Sequence, residues 1–165
     1  MTNPNSVNAF EKAVDNLRKF FIHRADHYSR TFNVHYMEAP DAPQDWEGIK
    51  KQFIPGKVVK VPIGGVEHSL FGAGYEYALR FWHDALHVKL NADLSLAGEL
   101  LVATAHLEEV EAAFGPRSLE AIIMAADAFG QTLFYRLKGG FVESQADFTL
   151  DFSRVMVNTD TLDEH

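Results

Sequence analysis

His83 and His87 stand four residues apart, with Asp84 beside the first and eleven residues separating the second from Glu99. That spacing constrains the local fold more than any other feature of the chain. On a helix, residues i and i+4 lie one turn apart on the same face, whereas on a strand they stand about 13 Å apart. Asp84 falls about 100° round from His83 and is i−3 to His87, so it can lean onto the same face. The spacing therefore predicts a helix from Tyr75 to about Leu90, with Leu79, Trp82, Leu86 and Leu90 on its apolar side. Asn91-Ala92-Asp93 breaks it, and Asp93 or Ser95 can cap a second helix that carries Glu99 and stops at Gly115-Pro116. The link is short, so the two helices are expected to pack antiparallel and bring His83, Asp84, His87 and Glu99 level. Two imidazoles plus carboxylate oxygens suit a divalent metal, with zinc first and iron or manganese as alternatives.

The remaining chain reads as further helix with one small excursion. Asn5 or Ser6 can cap a first helix to about Ser29, in which Val7, Phe10, Val14, Leu17 and Phe21 recur at steps of three and four and Phe20 and Ile22 widen the apolar face. His23 and His27 form a second i, i+4 pair beside Asp26. No downstream carboxylate is tied to them, and a polar helix flank accounts for them better than a ligand pair. Pro40, Pro43, Pro55 and Gly56 mark residues 39–56 as loop. Lys57–Ile63 and Val66–Phe71, separated by Gly64-Gly65, read as a β-hairpin over about 57–71, either a cover for the helices or a flap over a pocket. His68 lies on it, and a surface or hydrogen-bonded histidine is the default there.

Pro116 opens a third long helix, to about Lys138, closed by Gly139-Gly140. It is nearly apolar all round, as an interior helix is. Asp127, Gln131 and Tyr135 nevertheless form an i, i+4, i+8 stripe along it, and buried polar groups need partners. The stripe is either a structural network or the wall of a site. With His106, which shares a helix face with Glu99 but lies about 10 Å along the axis, these residues are the candidate catalytic or pocket groups. Phe141–Val157 does not declare itself as strand or helix. The expected architecture is mainly α: a single-domain helical bundle with a small β-hairpin over residues 1–157, then a loose acidic tail over 158–165.

Composition narrows the function. The 165 residues carry a formal net charge of −8 and show no basic stripe, which argues against nucleic acid as a partner. Cysteine is absent, so disulfides and thiolate ligands are excluded. No apolar run approaches the roughly 20 residues of a membrane span, and the polar start Met1-Thr2-Asn3-Pro4 does not read as a signal peptide. A cytoplasmic protein, at most peripheral to a membrane, is expected. Thirteen phenylalanines could line a site for a small apolar or aromatic ligand, although a plain core uses such residues too. An exposed apolar helix face could also make a homodimer.

The run Arg80-Phe81-Trp82-His83-Asp84-Ala85-Leu86-His87-Val88 through Gly98-Glu99-Leu100 resembles the signature of the zinc-motif family of coenzyme Q (ubiquinone) biosynthesis: His-Asp-x-x-His, eleven residues, then Glu. The family's His, Asp, His and Glu match His83, Asp84, His87 and Glu99 one by one. The resemblance spans Tyr75 to Glu109. It implies a helical metal site that acts at C1 of a polyprenylated benzenoid precursor, where oxidative decarboxylation replaces a carboxyl group.

Two other readings compete. The phosphohydrolase superfamily named for its His-Asp pair would use His68, His83, Asp84 and Asp127, and leave His87 and Glu99 coincidental. A non-enzymatic helical module for an apolar ligand or a protein partner would use the same four residues as a polar network or a structural metal site. Cysteine-free, carboxylate-rich sets fit structural zinc poorly.

Overall fold

The computed structural model describes residues 4–140 and 142–160. They are mainly helical, with one small two-stranded sheet. They form two compact units, one of Asp15–Val102 and one of the residues up to Val14 together with those from Ala103 onward.

The first helix, α1, runs Pro4–Phe32, so it begins before the expected cap and continues past Ser29. Val14, Leu17, Phe21, Ala25 and Tyr28 are buried at steps of three and four. Ile22, expected to widen that face, is exposed, as are His23 and His27, which sit on the polar flank. Asn33 takes the left-handed conformation (φ 52°), and Val34 N–H donates to the Ser29 carbonyl at 2.9 Å. This closure is a Schellman end with asparagine where glycine is usual.

Within Asp15–Val102 the chain then builds a β-α-β unit that sequence reasoning missed. Strand β1 (His35–Ala39) is followed by helix α2 (Trp46–Gln52) and strand β2 (Val58–Pro62), and the two strands pair in parallel with His35 opposite Val58. Asp45 caps α2 by accepting from Gly48 N–H at 2.9 Å. The expected hairpin over 57–71 is therefore corrected. Its first strand exists, but the partner lies upstream, and Val66–His68 is a single 3₁₀ turn entered through Gly65 at φ 78°. A parallel pair needs a crossover, and α2 supplies it. At the outer edge of β2 one side chain covers Lys60: Gln52 Oε1 accepts from Lys60 N–H at 2.8 Å and its Nε2 donates to the Lys60 carbonyl at 3.3 Å.

The core of this unit is aromatic. Phe21 meets Phe71 edge-on at 4.7 Å between ring centroids, and Trp82 packs against Phe20 and Phe21. Tyr36 from β1 stacks on Phe81 at 4.5 Å, and Phe53 stacks on the same ring. Phe81 and Trp82 belong to α3 (Ala73–Leu90), so the core fixes the helix that carries the histidines. Arg80 strengthens this hold. Its Nη1 donates to the carbonyls of Pro62 and Gly64, and its Nε to Glu76, which ties the chain after β2 to α3 one turn before His83.

Helix α4 (Leu96–Phe114) follows a five-residue link. Its Val102, Ala103, His106 and Val110 are buried, whereas Leu96 is exposed. In the second unit, Ser118 and not Pro116 begins the next helix: its side chain caps α5 (Leu119–Ala125) by accepting from Ala121 N–H. A five-residue π turn (Ala126–Gly130) joins α5 to α6 (Gln131–Lys138). The interior position expected along 116–138 holds only for the first part. Ile123, Met124 and Ala126 are buried, but Leu133 and Leu137 are exposed. The ambiguous stretch resolves as helix α7 (Gln145–Asp160). The acidic tail is helical as far as residue 160, and Phe141 and residues 161–165 lie outside the described residues.

Candidate metal centre

Helix α3 presents His83 and His87 one turn apart, and Glu99 approaches from the first turn of α4. His83 Nε2 lies 3.0 Å from His87 Nε2 and 3.3 Å from Glu99 Oε2, and His87 Nε2 lies 3.5 Å from the same oxygen. Three atoms bound at about 2.0–2.1 Å around a tetrahedral ion stand about 3.3–3.4 Å apart. The three donor atoms already form that triangle. Among the described residues this is the one group of three or more ligating side chains whose donor atoms converge. A tetrahedral ion held by this His-His-carboxylate set alone would keep one coordination position for a further ligand.

Hydrogen bonds and charge set the protonation of these donors, and with it the competition any cation would meet. His87 is fully buried, and its Nδ1 lies 2.9 Å from the Ala92 carbonyl oxygen. A carbonyl can only accept, so Nδ1 carries a hydrogen in either charge state, and the neutral form of His87 is the one that keeps a lone pair on Nε2. The two imidazole nitrogens 3.0 Å apart are at hydrogen-bond distance, where one donates a proton to the other. Burial pushes the His87 imidazolium toward deprotonation, but the Glu99 carboxylate, the Ala92 carbonyl and the charge of Asp84 outweigh it and leave the pKa raised. Burial acts to raise Glu99, and hydrogen bonds and charge from His83 and His87 overcome it, holding the carboxyl well below the usual range. Glu99 is thus ionised wherever the histidines can bind.

Asp84 stands beside this triangle and outside the set of converging donors. It is half-buried. Desolvation pushes its carboxyl up to about 6, against the lowering charges of His83, His87 and Arg80 and with the raising charge of Glu99. Of the four residues expected to meet, the structure brings three to a common point.

The other candidates are placed differently. His106 is buried on α4. Asp127 lies in the π turn and accepts from Gln131 Nε2 at 2.6 Å, while Gln131 Oε1 accepts from Gln145 Nε2 at 3.2 Å. Gln131 is buried and Tyr135 is exposed, so the stripe splits into a two-residue network, extended by Gln145, and a surface tyrosine. His68 closes the 3₁₀ turn. Sequence reasoning missed Gln145 and the Ala92 carbonyl. A backbone carbonyl has no sequence signature of its own, although the Asn91 helix stop was readable. Trp46, whose ring centroid lies 6.3 Å from that of His87, was also missed, because it belongs to a helix hidden among prolines. Trp46, Ala92, Gly98 and Leu101 help to line an open groove of about 470 Å³, whose wall includes none of the three converging ligands.

No described helix is long and apolar enough to cross a membrane. No protein-family model matches the chain, and no curated protein or solved structure matches it significantly.

Proposed function

We propose that this protein is a divalent-metal enzyme in which His83, His87 and Glu99 hold the ion and whose substrate is an aromatic or quinone-like carboxylic acid. The convergence of three donor atoms at 3.0, 3.3 and 3.5 Å carries the metal part of the reading. The resemblance of residues 75–109 to the coenzyme Q zinc-motif family supplies the substrate class and the reaction class, oxidative decarboxylation with hydroxylation.

When bound, a divalent cation supplies positive charge that stabilises a carboxylate or phenolate oxygen. The chain's own groups do the rest. His83 and His87 present neutral nitrogens, and the Glu99 carboxylate offsets one charge of the ion. The Ala92 carbonyl keeps the His87 ring in the binding tautomer. In the overall reaction the bond between ring and carboxyl carbon breaks, carbon dioxide leaves, a ring C–O bond forms, and a two-electron oxidant such as dioxygen is consumed. Zinc has no redox chemistry of its own, so iron or manganese would suit any role of the ion in oxygen activation better than zinc.

The phosphohydrolase arrangement is less well supported, because the converging set contains His87 and Glu99, the two residues that arrangement does not use. Elemental analysis after loading with zinc, manganese or iron is the test. About one ion per chain is expected. Glu99→Gln and His87→Ala should each lose it, while Asp84→Asn retains it, with all variants folded by circular dichroism. Absence of metal from the wild type after loading overturns the reading. Release of labelled carbon dioxide from aromatic acids, against hydrolysis of nucleotide phosphates, then separates the two reactions.

A further inference from the structure

The orientation of His87 is set by a backbone device built from the end of α3 and the loop that follows it. Helix α3 ends at Leu90, and Asn91 follows in the left-handed conformation, at φ 49° and ψ 40°. Asn91 N–H donates to the Val88 carbonyl at 3.3 Å, and Ala92 N–H donates to the His87 carbonyl at 3.0 Å. These two bonds make a Schellman motif with His87 as the residue that receives the longer-range bond. The motif folds the chain back over the last turn, and the Ala92 carbonyl then accepts from His87 Nδ1 at 2.9 Å. Residues 87 and 92 are tied twice, once through backbone and once through the imidazole.

The start of α4 holds the same loop from the other side. Ser95 N–H donates to Asp93 Oδ1 at 3.1 Å, and Gly98 N–H donates to Ser95 Oγ at 3.2 Å. Gly98 itself is buried against the backbone of Asp93. A Cβ at position 98 would stand 2.9 Å from the Asp93 carbonyl carbon and 3.1 Å from its nitrogen, and it would overlap the carbonyl oxygen outright. Only a residue without a side chain lets the loop lie this close. Asp93 is bonded directly to Ala92, so the space at Gly98 fixes the position of the carbonyl that holds His87.

We infer that Gly98 and Asn91 are positioning residues of the metal centre, which act through the Ala92 carbonyl to keep His87 as the Nδ1–H tautomer with Nε2 toward the ion. The inference rests on the metal-site reading above for its consequence, but its structural content is readable in the metal-free protein. In water, neutral imidazole populates both tautomers. A displaced Ala92 carbonyl would release His87 to exchange Nε2 for Nδ1 as the hydrogen-bearing atom, and the ring would then compete poorly for metal.

The test is the nitrogen-15 spectrum of the His87 ring in the metal-free protein, recorded above its pKa, together with zinc affinity by competition with a chelating dye. Wild type should show the Nδ1–H tautomer. Gly98→Ala should show a mixture or the Nε2–H form, with zinc affinity lowered about 10–100-fold, the range typical of losing an outer partner of a metal ligand. Asn91→Val probes the same loop without a Cβ at position 98, because a β-branched residue resists positive φ, and should lower affinity in the same direction. Asn91→Gly, which accepts the left-handed conformation freely, should keep both tautomer and affinity. An Nε2–H tautomer in the wild type overturns the inference whatever the variants do. So does wild-type tautomer and affinity in a folded Gly98→Ala protein, or in Asn91→Val should Gly98→Ala fail to fold. Failure of the wild type to bind zinc while it shows the Nδ1–H tautomer would instead sink the metal reading and leave the positioning device standing.

Discussion

At the scale of single residues, a cation bound at this centre would compete with protons for the same nitrogens. Metal binding requires a neutral imidazole, and the folded protein holds the His87 pKa above its ordinary value. Protons therefore compete at His87 up to a higher pH than they would at a free histidine, whose pKa is about 6.5. Glu99 has the opposite shift and stays ionised, so it adds no pH dependence near neutrality. The sign follows: zinc affinity should rise with pH through the folded pKa of His87 and level off above it. Titrations between about pH 5.5 and 8.5 would check this. A flat profile, or one already level below the ordinary histidine range, would contradict it. Much of this chemistry was legible in the residues. The i, i+4 spacing placed both rings on one face, and the helix break at Asn91 with a capped restart placed Glu99 opposite them. The proton on Nδ1 was not legible, because it depends on a backbone carbonyl that the closing turn brings into place.

At the scale of elements, the helices with strong apolar periodicity were readable and the β-α-β unit was not. In α1 and α3 the buried positions follow the sequence pattern, since a helix face that packs on a core must repeat at that period. β1 has five residues, of which only Ala39 is buried, so no alternation marks it. α2 has seven residues behind Pro40 and Pro43, and only its Asp45 cap announces it. The run Lys57–Ile63 declared a strand correctly, but the double glycine after it suggested a hairpin. A partner reached through a crossover leaves no such local mark. Gln52 matters here because a two-stranded sheet has exposed edges. Its carboxamide occupies both backbone groups of Lys60, as a neighbouring strand would. Gln52→Ala should lose about 1–2 kcal/mol in urea unfolding, at roughly 0.5–1.5 kcal/mol per hydrogen bond, and the Lys60 amide should exchange faster. An unchanged exchange rate would show that the edge is protected by other means.

At the scale of the whole molecule, the question is whether an ion would hold the protein together or only occupy it. The ligands lie on α3 and the first turn of α4, so an ion would close a loop of only sixteen positions, from His83 to Glu99. The turn between them is already tied by the Schellman closure, the Ala92 carbonyl and the Ser95 and Asp93 bonds. Closing a short, preformed loop removes little chain entropy. The core of Asp15–Val102 is a cluster of aromatic rings, Phe21, Phe71, Phe81 and Trp82 among them, and their burial does not depend on a metal. The folded chain should therefore survive a chelator. Its far-UV circular dichroism should be unchanged after dialysis against EDTA, and adding zinc back should stabilise it by mass action alone. That gain is about 2.7 kcal/mol at a hundred times the dissociation constant, visible as a rise in Tm that scales with the logarithm of free zinc. Collapse of the helical signal on chelation would make the ion a structural staple. Retained helix with a logarithmic rise in Tm is the behaviour of a preformed site that the metal enters.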